Sequence, residues 1–118
     1  LKRIEIPSSV NSIGSAAFAQ CSSLEQITLP VSLKSIKAGS FCMCSSLEQI
    51  EIPSSVTSIE SEAFADCTKL KQVSIEEPPS LQFIGHNAFK GCCLLTPIPI
   101  PKSVQMIAKD AFDWCLLL

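Results

Sequence analysis

Seven cysteines and one histidine carry the side chains best suited to metal ligation, disulfide exchange or nucleophilic attack. Five of the thiols, Cys21, Cys44, Cys67, Cys92 and Cys115, each stand three residues after a phenylalanine, in the segments that begin Ala17-Phe18, Ser40-Phe41, Ala63-Phe64, Ala88-Phe89 and Ala111-Phe112. Thiols recurring in this way should form a column, each about one strand spacing from the next. A soft-metal site instead needs ligands that converge on one point. The column therefore reads as small buried hydrophobes with weak S–H donors, in preference to a metal site or a disulfide ladder. Cys42 and Cys93 fall outside it, at positions that read as exposed. They stand two repeats apart in the alignment below, beyond the roughly 7 Å between Cα atoms that a disulfide spans. Free thiols are expected, and an odd, unpaired count argues against long residence in an oxidising milieu.

The other reactive groups have no partners in the sequence. His86 aligns with Ser15, Ala38, Ser61 and Lys109, and reads as an exposed loop residue. Glu76 and Glu77 lie in an inserted loop beside Pro78-Pro79, where a carboxylate pair without a pocket is solvated rather than catalytic. The dinucleotide, phosphate-loop and His-Glu-x-x-His motifs do not occur, and Asn11 and Asn87 do not open glycosylation sequons. No catalytic group, cofactor or metal is assigned, and an enzyme is not expected. Eleven acids against nine bases give a net charge of −2 without a basic block, so the footprint of a nucleic-acid or anionic-lipid binder is missing. Hydrophobic residues make up 47% of the chain. Their longest runs, such as Cys92 to Leu95 and Cys115 to Leu118, are far short of the roughly 18 residues that suggest a membrane span.

The apolar residues are ordered by repetition. Leu1–Ser23, Leu24–Ser46, Leu47–Lys69, Leu70–Leu94 and Leu95–Leu117 align as five copies of one phrase, and Leu118 opens a sixth. Four copies have 23 residues and the fourth has 25, because residues 75–81 replace a shorter link. Such a period predicts a solenoid in which each coil covers its neighbour's apolar face. In the third copy Leu47-x-x-Ile50-x-Ile52 ends in period-2 alternation and is closed by Pro53, which predicts one short parallel strand per coil on one face. Val56 and Ile59 should point inward from the opposite wall. Ala63-Phe64-x-x-Cys67 predicts a helical or 3₁₀ turn on the return path, with Ser61 as its cap and Glu62 in its first turn. The five phenylalanines Phe18, Phe41, Phe64, Phe89 and Phe112 would stack as the spine of the core.

If the Leu, Ile and Val positions of the strand face inward, the residues between them form three outward columns. The first is Lys2, Glu25, Glu48, Lys71 and Thr96, and the second is Arg3, Gln26, Gln49, Gln72 and Pro97. The third is Glu5, Thr28, Glu51, Ser74 and Pro99. The three glutamines could hydrogen-bond along their column. The surface is polar and adaptable, and its lack of aromatics argues against sugar stacking or single-stranded nucleic acid. A solvated face explains the same pattern. In the fifth copy Pro97, Pro99 and Pro101 share one parity and cannot donate to a ladder, so pairing should weaken there. Trp114 aligns with Gln20, Met43, Asp66 and Gly91, external positions, which points to contact with further chain or another molecule.

The phrase L-x-x-I-x-I-P-x-S-V-x-x-I-x-x-x-A-F-x-x-C-x-x resembles the BspA-like leucine-rich repeats over the whole chain. The resemblance implies a leucine-rich repeat solenoid and a non-enzymatic protein-binding module, common on the surfaces of host-associated bacteria and parasitic protists, where it serves adhesion and binding of host proteins. Intracellular members are implied as well, so cell surface or secretion on this ground stands against the reducing milieu suggested by the thiols. The partner-binding candidates are the outward residues Lys2, Arg3, Glu5, Glu25, Gln26, Thr28, Glu48, Gln49, Glu51, Lys71, Gln72 and Ser74, together with Trp114. The alternative is an architectural element that assembles end to end or packs within a larger complex through the solenoid ends. Because residue 1 is Leu at the first position of a repeat, residues 1–118 are expected to be a single solenoid domain cut from a longer repeat protein.

Overall fold

The computed structural model describes residues 2–118. Eight short strands are divided between two walls of a coil: β1 (Arg3–Glu5), β2 (Gln26–Thr28), β3 (Ser35–Ile36), β4 (Gln49–Ile52), β5 (Ser58–Ile59), β6 (Gln72–Ile75), β7 (Phe83–Ile84) and β8 (Met106–Ile107). Every pairing is parallel and displaced by one repeat, with Ile4 opposite Ile27 and Ile50 opposite Val73 on the first wall. On the second wall Ile36, Ile59, Ile84 and Ile107 form one register line. β-branched residues alternating with polar ones on a half-buried surface explain the first wall. It divides into the pairs β1–β2 and β4–β6, while the second wall is a continuous ladder in the order β3-β5-β7-β8.

The core fills the space between these walls and a third wall of turns. Phe18, Phe41, Phe64, Phe89 and Phe112 stack in sequence with ring centroids 5.3–5.5 Å apart and planes within 7° of parallel. The three central rings are fully buried. Centroids wider apart than the roughly 4.8 Å spacing of adjacent strands indicate offset stacking, the arrangement that ring quadrupoles favour.

The expected helical or 3₁₀ turn does not form, and no helix occurs among the described residues. The reason lies in the direction of alternate N–H groups. In the third coil Ala63, Ala65 and Cys67 donate three residues back, to Glu60, Glu62 and Phe64, as in a turn. Glu62, Phe64 and Asp66, between them, donate to His86, Ala88 and Lys90 of the next coil, at 2.9, 2.7 and 2.6 Å. A helix would need all of these donors for itself. Positive φ at Glu62 (58°) and Asp66 (59°) breaks the helical path, so Ser61 caps nothing. The same two columns carry positive φ at Ala16 and Gln20, Gly39 and Met43, Asn87 and Gly91, and at Trp114.

The fifth coil departs from the expected strand on the first wall. Residues 96–101 form none, and Thr96 N–H to Lys71 O (2.9 Å) is the backbone bond to the preceding coil that remains there. Gln26 donates to Lys2 O and Gln72 to Glu48 O, each to the preceding coil. Pro97 occupies the position of Gln26 and Gln72 in its own coil and has no proton to donate. The weakened ladder at this coil follows the sequence expectation, and Ile100, inward in other coils, becomes exposed.

Candidate functional site

The outward columns of the first wall lie where strand parity puts them. Lys2, Arg3, Glu5, Thr28, Glu48, Gln49, Glu51, Lys71 and Gln72 are exposed, and Glu25, Gln26 and Ser74 are half-buried. Register sets Arg3 beside Gln26 and Glu5 beside Thr28, then Gln49 beside Gln72 and Glu51 beside Ser74. The side-chain hydrogen bonds of the described residues do not join the three glutamines, so the amide ladder the sequence allows is not made and the amides stay open to solvent or a ligand.

Between β2, β4 and β6 this face is hollowed into a groove of about 350 Å³. Six of the candidate residues line it: Gln26, Thr28, Gln49, Glu51, Gln72 and Ser74. The rest of the lining includes Val31, Pro53 and Glu76, which sequence reasoning did not place there. Lys2, Arg3, Glu5, Glu25, Glu48 and Lys71 flank the groove without lining it. Trp114 is not brought to it at all. That residue is 68% exposed on the wall of turns, near the exposed Leu116, Leu117 and Leu118.

Glu76 lies immediately after β6, at the head of the inserted loop. It stands where Pro7, Pro30, Pro53 and Pro101 stand in the other coils, and that column has the parity of the outward residues. Its backbone N–H continues the ladder to Ile52 O at 2.9 Å. The Glu51 carboxyl beside it, with slight desolvation and the repulsion of the like charge, pushes its pKa up. The Ser54 N–H bonded to the same carboxyl opposes the shift. The signal in the sequence was the proline column, which the two-residue insertion obscured.

A second hollow, of about 530 Å³, opens where the fifth coil leaves β6, between Val73, Ser74 and Ile75 on one side and Pro97, Pro99 and Pro101 on the other. His86 is exposed as expected, with Nδ1 at 3.5 Å from Asp110 Oδ2. Among the described residues no three His, Cys, Asp or Glu side chains gather as metal ligands would.

All seven cysteines are free thiols. Cys44, Cys67, Cys92 and Cys115 donate their S–H to the carbonyls of Phe18, Phe41, Phe64 and Phe89 in the preceding coil, at 3.0–3.2 Å. Burial holds the Cys44 thiol up at about 11 and moves those of Cys67 and Cys92 higher still, so these thiols stay protonated at neutral pH and are poor nucleophiles. Cys42 and Cys93 are half-buried rather than exposed, and Cys93 donates its S–H to Gly91 O at 3.3 Å within its own coil.

The family model describing the BspA type leucine-rich repeat region, in six copies, matches residues 1–118. A leucine-rich cell surface protein from Faecalibacterium prausnitzii is 33% identical with a TM-score of 0.80, over 87% of this chain and 27% of that one. A leucine-rich repeat protein from Eubacterium ventriosum is 32% identical with a TM-score of 0.85, over 97% of this chain and 30% of that one. The pneumococcal vaccine antigen PcpA is 30% identical with a TM-score of 0.82, over 96% of this chain and 28% of that one. The chain thus spans less than a third of the length of these three structures. No curated protein matches it.

Proposed function

The chain belongs to the BspA-type leucine-rich repeat family, and from that premise we propose that it is a protein-binding module whose first wall receives a partner at a cell surface. The observation that carries this reading is the groove between β2, β4 and β6, in which six outward side chains present amides, hydroxyls and a carboxylate. The Faecalibacterium relative is a cell surface protein, which supports the location. No helix of the described residues is long and apolar enough to cross a membrane, and the reading does not require one. Gln26→Lys, Gln49→Lys and Gln72→Lys together are expected to abolish capture of the partner in a pull-down from host-cell surface proteins, with the far-UV spectrum unchanged. Undiminished capture would remove this wall from consideration.

A second reading is favoured by the far end of the coil, where Met106, Ile107, Trp114, Leu116, Leu117 and Leu118 are all exposed. It makes the chain an architectural element that associates through its ends. Sedimentation of the 118-residue chain distinguishes the two: concentration-dependent oligomers that Trp114→Ser disperses support the end contact, and a monomer at all concentrations rejects it.

A further inference from the structure

Within the groove of the first wall, and resting on the reading that this wall binds a protein, we infer that the partner segment is extended and basic, its guanidinium or ammonium group seated between Glu51 and Glu76. Three observations carry this. The groove lining contains two carboxylates and no lysine or arginine. Neither Glu51 nor Glu76 has an ion-pair partner among the described residues, since the pair formed there joins His86 to Asp110. Both nevertheless line the groove from adjacent coils, Glu51 standing opposite Ser74, two residues before Glu76.

Like charges on adjacent coils of one groove repel unless a proton or another cation lies between them. A planar guanidinium supplies that charge with several donors, and two carboxylates on neighbouring strands suit its forked geometry. Beside them Gln26, Gln49 and Gln72 stand one coil apart with free amides, able to bond peptide groups of an extended chain laid across the coils. The complementarity is therefore twofold: charge at the end of the groove near Glu76, and hydrogen bonding along the amide column. The net charge of −2 draws basic segments to the molecule without selecting where they bind. The site does the selecting.

The test uses the whole chain and a fluorescein-labelled peptide Gly-Ser-Val-Arg-Val-Ser-Gly, with a citrulline version that keeps shape and hydrogen bonding but lacks charge. Fluorescence anisotropy is expected to show saturable binding of the arginine peptide. E51Q with E76Q should weaken it at least about tenfold, as for loss of a charge-assisted pair. E60Q with E62Q, which removes the same charge away from the groove, should leave it within about twofold. Equal binding of the citrulline peptide, no binding of the arginine peptide, or equal loss in both double variants overturns the inference. Saturable calcium binding that needs Glu51 and Glu76, without peptide binding, overturns it in favour of a metal site. If the triple glutamine variant loses partner capture while E51Q with E76Q retains it in full, the basic-segment inference fails and the protein-binding wall stands.

Discussion

At the scale of single residues, the cysteine column explains why a thiol recurs where any small apolar side chain would fill the space. Cys67 is fully buried, and its S–H gives the Phe41 carbonyl, which also accepts from Cys44 N–H, a second donor from the next coil. Cys67→Ala should therefore cost about 1–2 kcal/mol, part from the cavity and part from the lost donor, read as a lower midpoint in urea. The pH dependence follows with a definite sign. Burial raises the folded pKa of Cys44 from 9.0 to about 11, and those of Cys67 and Cys92 rise as well. The folded state then holds protons that the unfolded state has released, so stability contributed by these thiols is complete below about pH 9 and declines as pH rises through the folded values. Lysines also titrate in this range, which makes Cys67→Ala the control: its stability should fall less steeply between pH 9 and pH 11 than that of the parent chain. Parallel curves would show that the buried thiols do not contribute.

At the scale of elements, the fifth coil tests whether missing donors alone prevent a strand. Pro97→Gln and Pro99→Ser give the first wall the side chains that β6 carries at the same positions, Gln72 and Ser74. With both N–H groups restored, residues 96–100 should join β6, showing slowed amide exchange at positions 97 and 99 and a gain of about 1–2 kcal/mol from two hydrogen bonds. Unprotected amides would mean that the path of the coil, not its prolines, keeps it apart. The first-wall strands were legible because each supplies enough alternating residues to reveal period 2. The second-wall ladder was legible as an inward apolar set but not as strands, since Ser35–Ile36 and its partners are two residues long and acquire their pairing from neighbouring coils. The turn wall was misread for a related reason. Phe64 and Cys67 three apart fit a helical turn, and what excludes it, donation from Phe64 N–H to Ala88 O, joins two coils rather than residues of one. Positive φ at Glu62 and Asp66 was hinted at by Gly39 and Gly91 in the same columns. Of the groove, the parity of the strands revealed six residues, whereas Glu76 was hidden by the insertion beside it and Val31 by its place after a proline.

At the scale of the whole molecule, coils touch only their neighbours, so stability is close to a sum of coil and interface contributions, and its distribution is a physical property to be measured. The phenylalanine column is the feature best placed to couple the coils. Phe64 meets Phe41 at 5.4 Å and Phe89 at 5.3 Å and is fully buried, whereas Phe18 is half-buried and stacks on Phe41 alone, at 5.5 Å. Phe64→Ala opens a cavity between two coils and removes both stacks, a loss of about 3–5 kcal/mol. Against a total of about 5–15 kcal/mol for a domain this is a large share. Phe18→Ala takes a ring that is already partly in water from one interface, and should cost about 1–2 kcal/mol. Urea unfolding followed by far-UV circular dichroism is expected to show one transition for the parent chain and for Phe18→Ala, the latter at a slightly lower midpoint. For Phe64→Ala the expected result is a much lower midpoint with a reduced slope, because the coils on either side of the cavity lose their coupling and no longer unfold as one unit. Equal losses in the two variants would instead assign the coupling to the backbone ladders of the second wall, which run through β3, β5, β7 and β8 without interruption.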